Sequence, residues 1–301
     1  MSPAALPAVA LASVPGRRRA TLDLARELER RGFQGIYCAS FGDAMGLCEA
    51  LAFATERIPF GTAIANLYTR HVADYAQTAS LIHELSGGRF RFGVGVSHDA
   101  VNRRLGVASG KPLADVRRFA EELSNAQAGP QPPLVLAALR KKMVALAGEL
   151  AQGVVFANVA RSYVRESLAV LPPAKRGAEF FVGNMLPVCI SEDRAAAAAR
   201  SRRGLQMYLH LPNYRNYWRE AGYADEMDRV EKAIAAGERE AVPGLVSERW
   251  LRDVCLFGSA IEVRDGVAAW RAAGVTTPIL VPSSASGNQQ KAFEELFAAF
   301  S

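Results

Sequence analysis

Apolar positions recur along this chain in two alternating periods. Short apolar runs that fit buried strands are followed, again and again, by stretches with apolar residues at helical spacing. Ala4 to Ser13 reads as a buried strand, and Leu22, Ala25 and Leu28 fall at helical spacing between Arg17 and Arg31, with Gly32 as the stop. The alternation continues through a strand at 34–40, a helix at 44–56, a strand at 58–66, a helix at 71–85 and a strand at 89–96. It lapses over Asp99 to Gly110, which reads as an irregular segment, and restarts at Lys111-Pro112 with proline in a helix's first turn. Strands are predicted at 132–139, 153–158, 179–190 and 277–282, the third of these interrupted by Gly183-Asn184. Helices are predicted at 140–151, 162–171, 265–273 and 289–300, and the stretch 191–254 is helical by composition. Eight strands alternating with helices predict an α/β fold, a (β/α)8 TIM barrel with helical insertions before the last strand. With no linker and no internal repeat, residues 1–301 read as a single domain.

One run combines a helix stop, a strand and a candidate site: Ser86-Gly87-Gly88-Arg89-Phe90-Arg91-Phe92-Gly93-Val94-Gly95-Val96-Ser97-His98. Phe90, Phe92, Val94 and Val96 recur with period two, and Gly93 and Gly95 leave the other face without side chains near the strand's end. Two readings of the glycines stand: a ligand approaches the backbone there, or the glycines relieve crowding inside the barrel. A dinucleotide fingerprint needs a third glycine where His98 stands, and there is no early βα turn, so that reading is weak.

A chain of 301 residues accommodates one such barrel, and 50% hydrophobic with 22% charged residues is an ordinary globular composition. The net charge of +6 is scattered, with no basic stripe interleaved with aromatics, which argues against nucleic acid and suits an anionic small molecule. No apolar run reaches eighteen residues, so no membrane span is expected. The apolar stretch from Met1 to Ala12 has no basic segment before it and reads as a first strand rather than a signal peptide. Cys38, Cys48, Cys189 and Cys255 form no C-x-x-C pair, and His71, His83, His98 and His210 are dispersed. Neither a disulfide framework nor a metal site is expected, and the cytoplasm is the expected compartment.

In a (β/α)8 barrel the site lies at the C-terminal ends of the strands. Here those ends supply Ser13, Ser40, Asn66, Ser97-His98, Leu139, Asn158, Gly183-Asn184 and Ser283-Ser284. None carries Asp or Glu, which excludes the carboxylate pair of a glycosidase and a hydrolytic metal cage, and there is no G-x-S-x-G elbow. A neutral, hydrogen-bonding rim suits a cofactor that brings its own chemistry. His98 reads either as a proton donor or cofactor ligand, or as an anchor for the segment after it. His71 reads as a helix cap. Arg140-Lys141-Lys142 opens a helix, against the dipole, which points to a bound anion or to a solvated surface run. Tyr214, Tyr217 and Trp218 read as a substrate wall or as core.

Several stretches together resemble the luciferase-like monooxygenase superfamily, in its deazaflavin branch. They are the S-G-G-R-F segment with its G-x-G strand, Gly61-Thr62-Ala63-Ile64-Ala65-Asn66, Gly110-Lys111-Pro112-Leu113-Ala114, Leu209-His210-Leu211-Pro212-Asn213-Tyr214, and Ala272-Ala273-Gly274-Val275-Thr276-Thr277-Pro278. The resemblance implies a barrel that binds coenzyme F420, or alternatively FMN, and acts as an oxidoreductase on a small-molecule substrate; a homodimer is the candidate assembly. Taken together with the reading of the strand ends, the resemblance gives as candidate cofactor contacts Asn66, Leu67, Gly93, Gly95, Ser97, His98, Leu139, Arg140, Lys141, Gly183 and Asn184, with His98 as the catalytic candidate. It also implies a bulge and a non-prolyl cis peptide around Asn66-Leu67. Two departures stand out: Cys38-Ala39-Ser40-Phe41-Gly42-Asp43 lacks the acidic or histidine-containing segment usual after the second strand, and Arg140-Lys141 replaces a usual Gly-Pro. A barrel with altered cofactor use, binding a ligand or catalysing a redox-neutral step, is the remaining alternative.

Overall fold

The computed structural model describes residues 5–40, 42–177 and 179–301. Met1 to Ala4, which begin the first predicted strand, and Phe41 lie outside them. The chain divides into two compact units, Met1–Val155 with Val170–Gly183, and Phe156–Ala169 with Asn184–Ser301.

The first unit is built on parallel strands β1 (Ala8–Leu11), β2 (Ile36–Cys38), β3 (Phe60–Thr62), β4 (Ala65–Asn66), β5 (Phe90–Gly95), β6 (Leu134–Ala137) and the start of β7 (Gly153–Ala157). The register aligns Val9 with Ile36, Ile36 with Phe60, Phe60 with Phe90, Phe92 with Leu134 and Val135 with Gly153. Residues of β1, β2 and β3 are buried throughout, which is why these strands read as continuous apolar runs. Between them run α1 (Arg18–Arg30), α2 (Ala44–Ala54), α3 (Val72–Leu85), α4 (Asp99–Arg104), α5 (Pro112–Ser124) and α6 (Lys141–Leu150). Helix α1 buries Thr21, Ala25 and Leu28, one stripe at helical spacing. The Asp43 carboxylate caps α2 by accepting from Gly46 N at 3.0 Å, and His71 Nδ1 caps α3 by accepting from Ala73 N at 3.2 Å. His71 is thus a cap, as its position suggested.

Arg89 explains the S-G-G-R-F run. Gly87 and Gly88 turn the chain with φ of 62° and 85°. The Arg89 guanidinium then donates to the carbonyls of Ser86, Ala52, Thr55 and Ile58 and to Thr55 Oγ1, all at 2.8–3.1 Å. One side chain therefore ties the end of α2 and the entry to β3 to the foot of β5.

Three expectations need correction in this unit. The predicted third strand is broken at Ala63-Ile64 into β3 and β4, earlier than the implied bulge. No cis peptide occurs among the described residues. Instead β4 continues the ladder along β5, Asn66 opposite Gly95, and Leu67 N donates to Gly95 O at 3.0 Å. The segment after His98 is not irregular throughout, since Asp99–Arg104 forms α4.

The second unit holds α7 (Arg161–Leu168), most of β8 (Phe181–Ile190), α8 (Arg194–Leu209), α9 (Pro212–Glu220), α10 (Ala224–Ala235), α11 (Glu248–Val254), β9 (Leu256–Gly258), α12 (Ala260–Ala272), β10 (Thr277–Ser283) and α13 (Gln289–Ala299). Strand β8 pairs with β9, Val188 opposite Leu256, and also with β10. Gly183-Asn184 does not interrupt β8, because cross-strand pairing overrides the local turn preference of Gly-Asn. Strand β9 was not expected, and α12 starts five residues before the predicted Asp265, at a Ser259/Glu262 capping box. Tyr214, Tyr217 and Trp218 are buried, with Trp218 edge-on to Trp250 at 4.8 Å, so they belong to the core. All four cysteines are free and buried. Among the described residues no helix is long and apolar enough to cross a membrane.

Candidate functional site

In the first unit, the ends of β4 and β5 bring Asn66, Leu67, Gly93, Gly95, Ser97 and His98 together. Beyond β5 the chain turns sharply at Ser97, whose φ of 57° lies in the left-handed region that a residue with a Cβ seldom adopts. Such a conformation costs on the order of 1–2 kcal/mol and persists where surrounding contacts hold it. Those contacts come from Asn102, which is 1% exposed. Its Nδ2 donates to Val96 O at 3.0 Å and to Ser109 Oγ at 2.8 Å, and its backbone N donates to His98 O at 2.9 Å. Asn66 Nδ2 in turn donates to Asn102 Oδ1 at 2.8 Å, while the Asn66 carbonyl accepts from Tyr75 OH and Thr69 Oγ1, each at 2.8 Å.

His98 is half-buried beyond this turn. Burial lowers its pKa below the ordinary histidine value, and the neighbouring Asp99 carboxylate opposes that only in part. The imidazole is therefore neutral at pH 7. In that state the ring acts as an acceptor and a hydrogen-bonding group.

Gly93 and Gly95 are accounted for by strand packing. A Cβ on Gly93 would stand 2.0 Å from Thr62 O, and one on Gly95 would stand 2.7 Å from Ala137 Cβ and 2.9 Å from Ile64 Cγ2. Of the two readings of the glycines, the geometry favours relief of crowding. Tyr68, two residues beyond Asn66, donates through its hydroxyl to Asp115 Oδ2 at 2.8 Å, and Arg118 pairs with the same carboxylate at 2.9 Å. Leu139 and Arg140 lie in the turn after β6, and Lys141 is the first residue of α6. Arg140 is the N-cap residue but makes no side-chain cap bond, and the first turn of α6 carries no acid.

The second unit holds Asn184, on β8 and fully buried, with neither its amide nitrogen nor its oxygen hydrogen-bonded. Gly183 is buried beside it. An amide offers one donor face and one acceptor, the complement of an imide edge such as a flavin or deazaflavin ring presents. A buried amide left unpartnered is costly without a ligand, and this observation fits such a ring. Asn158 also has a left-handed backbone, φ 55°, just past β7. Its carbonyl accepts from Trp218 Nε1 at 3.1 Å and its side chain bonds the hydroxyls of Tyr208 and Tyr214, so it secures α8 and α9. Ser283 Oγ donates to Val188 O at 3.1 Å and Ser284 Oγ to Glu295 Oε1 at 3.0 Å.

Sequence reasoning missed a cluster in this unit. Ser162 Oγ and Tyr223 OH both donate to Asp253 Oδ2, at 2.5 and 2.8 Å, and Ser162 N donates to Asp253 Oδ1 at 2.9 Å. The cluster lines a cleft of about 550 Å³ with Arg161, Glu248, Arg249 and Arg252. Its members are too far apart in sequence for spacing to signal them. Asn102, Asp115 and Arg89 were likewise not singled out.

Known proteins agree with this architecture. The family model described as luciferase-like monooxygenase matches residues 5–277. The chain is 27% identical to a Mycobacterium tuberculosis protein provisionally named a coenzyme F420-dependent oxidoreductase, over 87% of this chain and 90% of that protein. It is 23% identical to the 5,10-methylenetetrahydromethanopterin reductase of Methanolobus tindarius, over 90% of this chain and 92% of that protein. Among solved structures, the coenzyme F420-dependent tetrahydromethanopterin reductase of Methanopyrus kandleri superposes with a TM-score of 0.77 at 19% identity, covering 97% of each chain. That likeness shows the fold: a (β/α)8 barrel, as the alternation of strands and helices predicted.

Proposed function

We propose that this chain, which belongs to the luciferase-like monooxygenase family, is a coenzyme F420-dependent oxidoreductase acting on a small organic substrate as a single cytoplasmic domain. The reading rests on the relative named for F420 that matches nearly the whole length of the chain. Bound F420 would supply hydride exchange at C5 of its ring with a C=C, C=N or C=O bond.

The chain's own residues then have distinct tasks. In the second unit, Asn184 offers an unpartnered buried donor and acceptor to an imide-type ligand. Ser97 and His98 would meet the ring or substrate at the end of β5, with Leu67 as an apolar contact, and Arg140 and Lys141 would attract its acidic tail at the start of α6. Gly93 and Gly95 keep the strands close enough for this rim to form. Neutral His98 would take up the proton released when a substrate is oxidised, and return it in the reverse direction at lower pH. A homodimer, the candidate assembly, would bury exposed apolar side chains such as Phe53 on α2 and Leu81 and Leu85 on α3.

Titration of the purified protein with F420, read by quenching of the coenzyme's fluorescence, tests the reading, with FMN in parallel. Micromolar binding of F420 and none of FMN supports it. Binding of FMN alone, with oxygen consumed on adding reductant, replaces it by a flavin monooxygenase. Binding of neither, with an intact circular dichroism spectrum, leaves a barrel with a non-redox role.

A further inference from the structure

We infer that Asn102 is a positioning residue for His98: it clamps the carbonyls on both sides of the left-handed Ser97 and so fixes the turn from which the imidazole emerges. Val96 O is held by Asn102 Nδ2 at 3.0 Å, and His98 O by Asn102 N at 2.9 Å. Ser97, with φ 57°, lies between the two held carbonyls. A single residue thus pins the chain immediately before and immediately after its strained point.

The clamp is itself braced. Asn102 Oδ1 accepts from Asn66 Nδ2 at 2.8 Å, which joins the turn after β5 to the end of β4. The second Nδ2 hydrogen goes to Ser109 Oγ at 2.8 Å, and Asn102 O accepts from Val107 N at 3.0 Å and Leu105 N at 3.1 Å, which ties in the far end of the segment. Every polar atom of the Asn102 side chain is used, and the residue is 1% exposed. Aspartate could not serve here, because it has no hydrogens to donate to Val96 O and Ser109 Oγ. Asn66 belongs to the same device, holding the clamp rather than meeting a ligand through its side chain.

This matters to catalysis only on the reading of His98 given above, but the positioning itself is measurable without cofactor or substrate. The experiment follows the histidine Cε1–Hε1 resonances of the full chain through a pH titration, with His98 identified by loss of its peak in His98→Asn. In the native chain His98 titrates below its ordinary value, because burial outweighs the pull of Asp99. In Asn102→Ala the turn is released, the ring gains water, and the His98 midpoint rises toward its ordinary value. The midpoint of His210, which belongs to the second unit, stays where it was. Ser109→Ala, which removes one of the two Nδ2 acceptors, gives a smaller rise in the same direction. A folded Asn102→Ala protein with an unmoved His98 midpoint overturns the inference, and so does an equal shift at His210. Should Asn102→Ala fail to fold, Ser109→Ala decides: a rise confined to His98 supports the clamp, and no rise overturns it. Because the titration is read on the free protein, failure to bind F420 overturns the functional reading alone.

Discussion

Replacing Gly93 by alanine tests whether the G-x-G of β5 serves the ligand or the fold. Gly93 on β5 is bridged to Thr62 on β3. Its N donates to Thr62 Oγ1 at 2.9 Å, and the same hydroxyl donates to Gly93 O at 2.6 Å. The added methyl would stand 2.0 Å from Thr62 O. Ordinary C···O contact is ~3.3 Å, so the two strands must separate by about 1.3 Å at that point. The obstacle is a backbone oxygen in a parallel ladder and cannot swing aside. Overpacking of this kind costs about 1–3 kcal/mol, and the two hydroxyl bridges that separation breaks add ~1 kcal/mol each. The expected loss is therefore about 3–5 kcal/mol.

Guanidinium unfolding followed by far-ultraviolet circular dichroism measures it. Thr62→Val serves as the partner variant, since it removes both bridges without adding volume at Gly93; its loss should be smaller, about 2 kcal/mol. An alanine variant within about 1 kcal/mol of the native chain, yet unable to bind F420, would refute the crowding reading and return Gly93 to the ligand's side.

Three other outcomes are expected. Arg89→Lys should destabilise by about 3 kcal/mol, because an ammonium cannot reach five acceptors arranged around a planar fork; a near-native unfolding midpoint would show that these bonds contribute little. His98 binds its proton less readily folded than unfolded, so as pH falls through ~6.5 the unfolded chain protonates first and stability declines, levelling off below the folded pKa, with no contribution from this group above ~6.5. His98→Asn should remove that part of the slope, and superimposable stability curves between about pH 5 and 7.5 would contradict it. Arg140→Ala with Lys141→Ala should weaken F420 binding several-fold at low salt and less as salt rises, and an unchanged affinity at low salt would make them a surface pair.

The barrel was legible because strands buried on both faces must be apolar without interruption, and helices that cover them on one side must not be. Where reading failed, local preference competed with a partner far along the chain. Gly183-Asn184 has the composition of a turn, but β8 runs through it because neighbouring strands supply its pairing. Strand β9 is three residues between two helices, too short for any periodicity to register, although the Ser259-x-x-Glu262 box that starts the next helix was present in the sequence. Helix α4 is six residues with no side-chain cap, and it is held by Asn102, whose partners lie at positions 66, 96 and 109. Nothing in the spacing of those residues announces a network.

The same limit applies to the chemistry at the rim. Two groups with an exchangeable proton stand there, His98 and Tyr68. Burial and the Asp115 carboxylate that accepts its hydroxyl push Tyr68 up to about 12, so near neutrality it keeps its proton and gives its hydrogen bond to Asp115. Its hydroxyl serves to hold the start of α5 to the end of β4. His98 moves the other way, below its ordinary value, since burial penalises its cation. The shifts widen the gap between the two groups, leaving His98 as the group at the ends of β4 and β5 able to change protonation within reach of neutral pH. They also set its resting state as the neutral base. Under the proposed function, a neutral histidine beside the Asp99 carboxylate would accept the proton of a substrate being oxidised, and the burial that keeps it neutral comes from the fold and not from the spacing of residues.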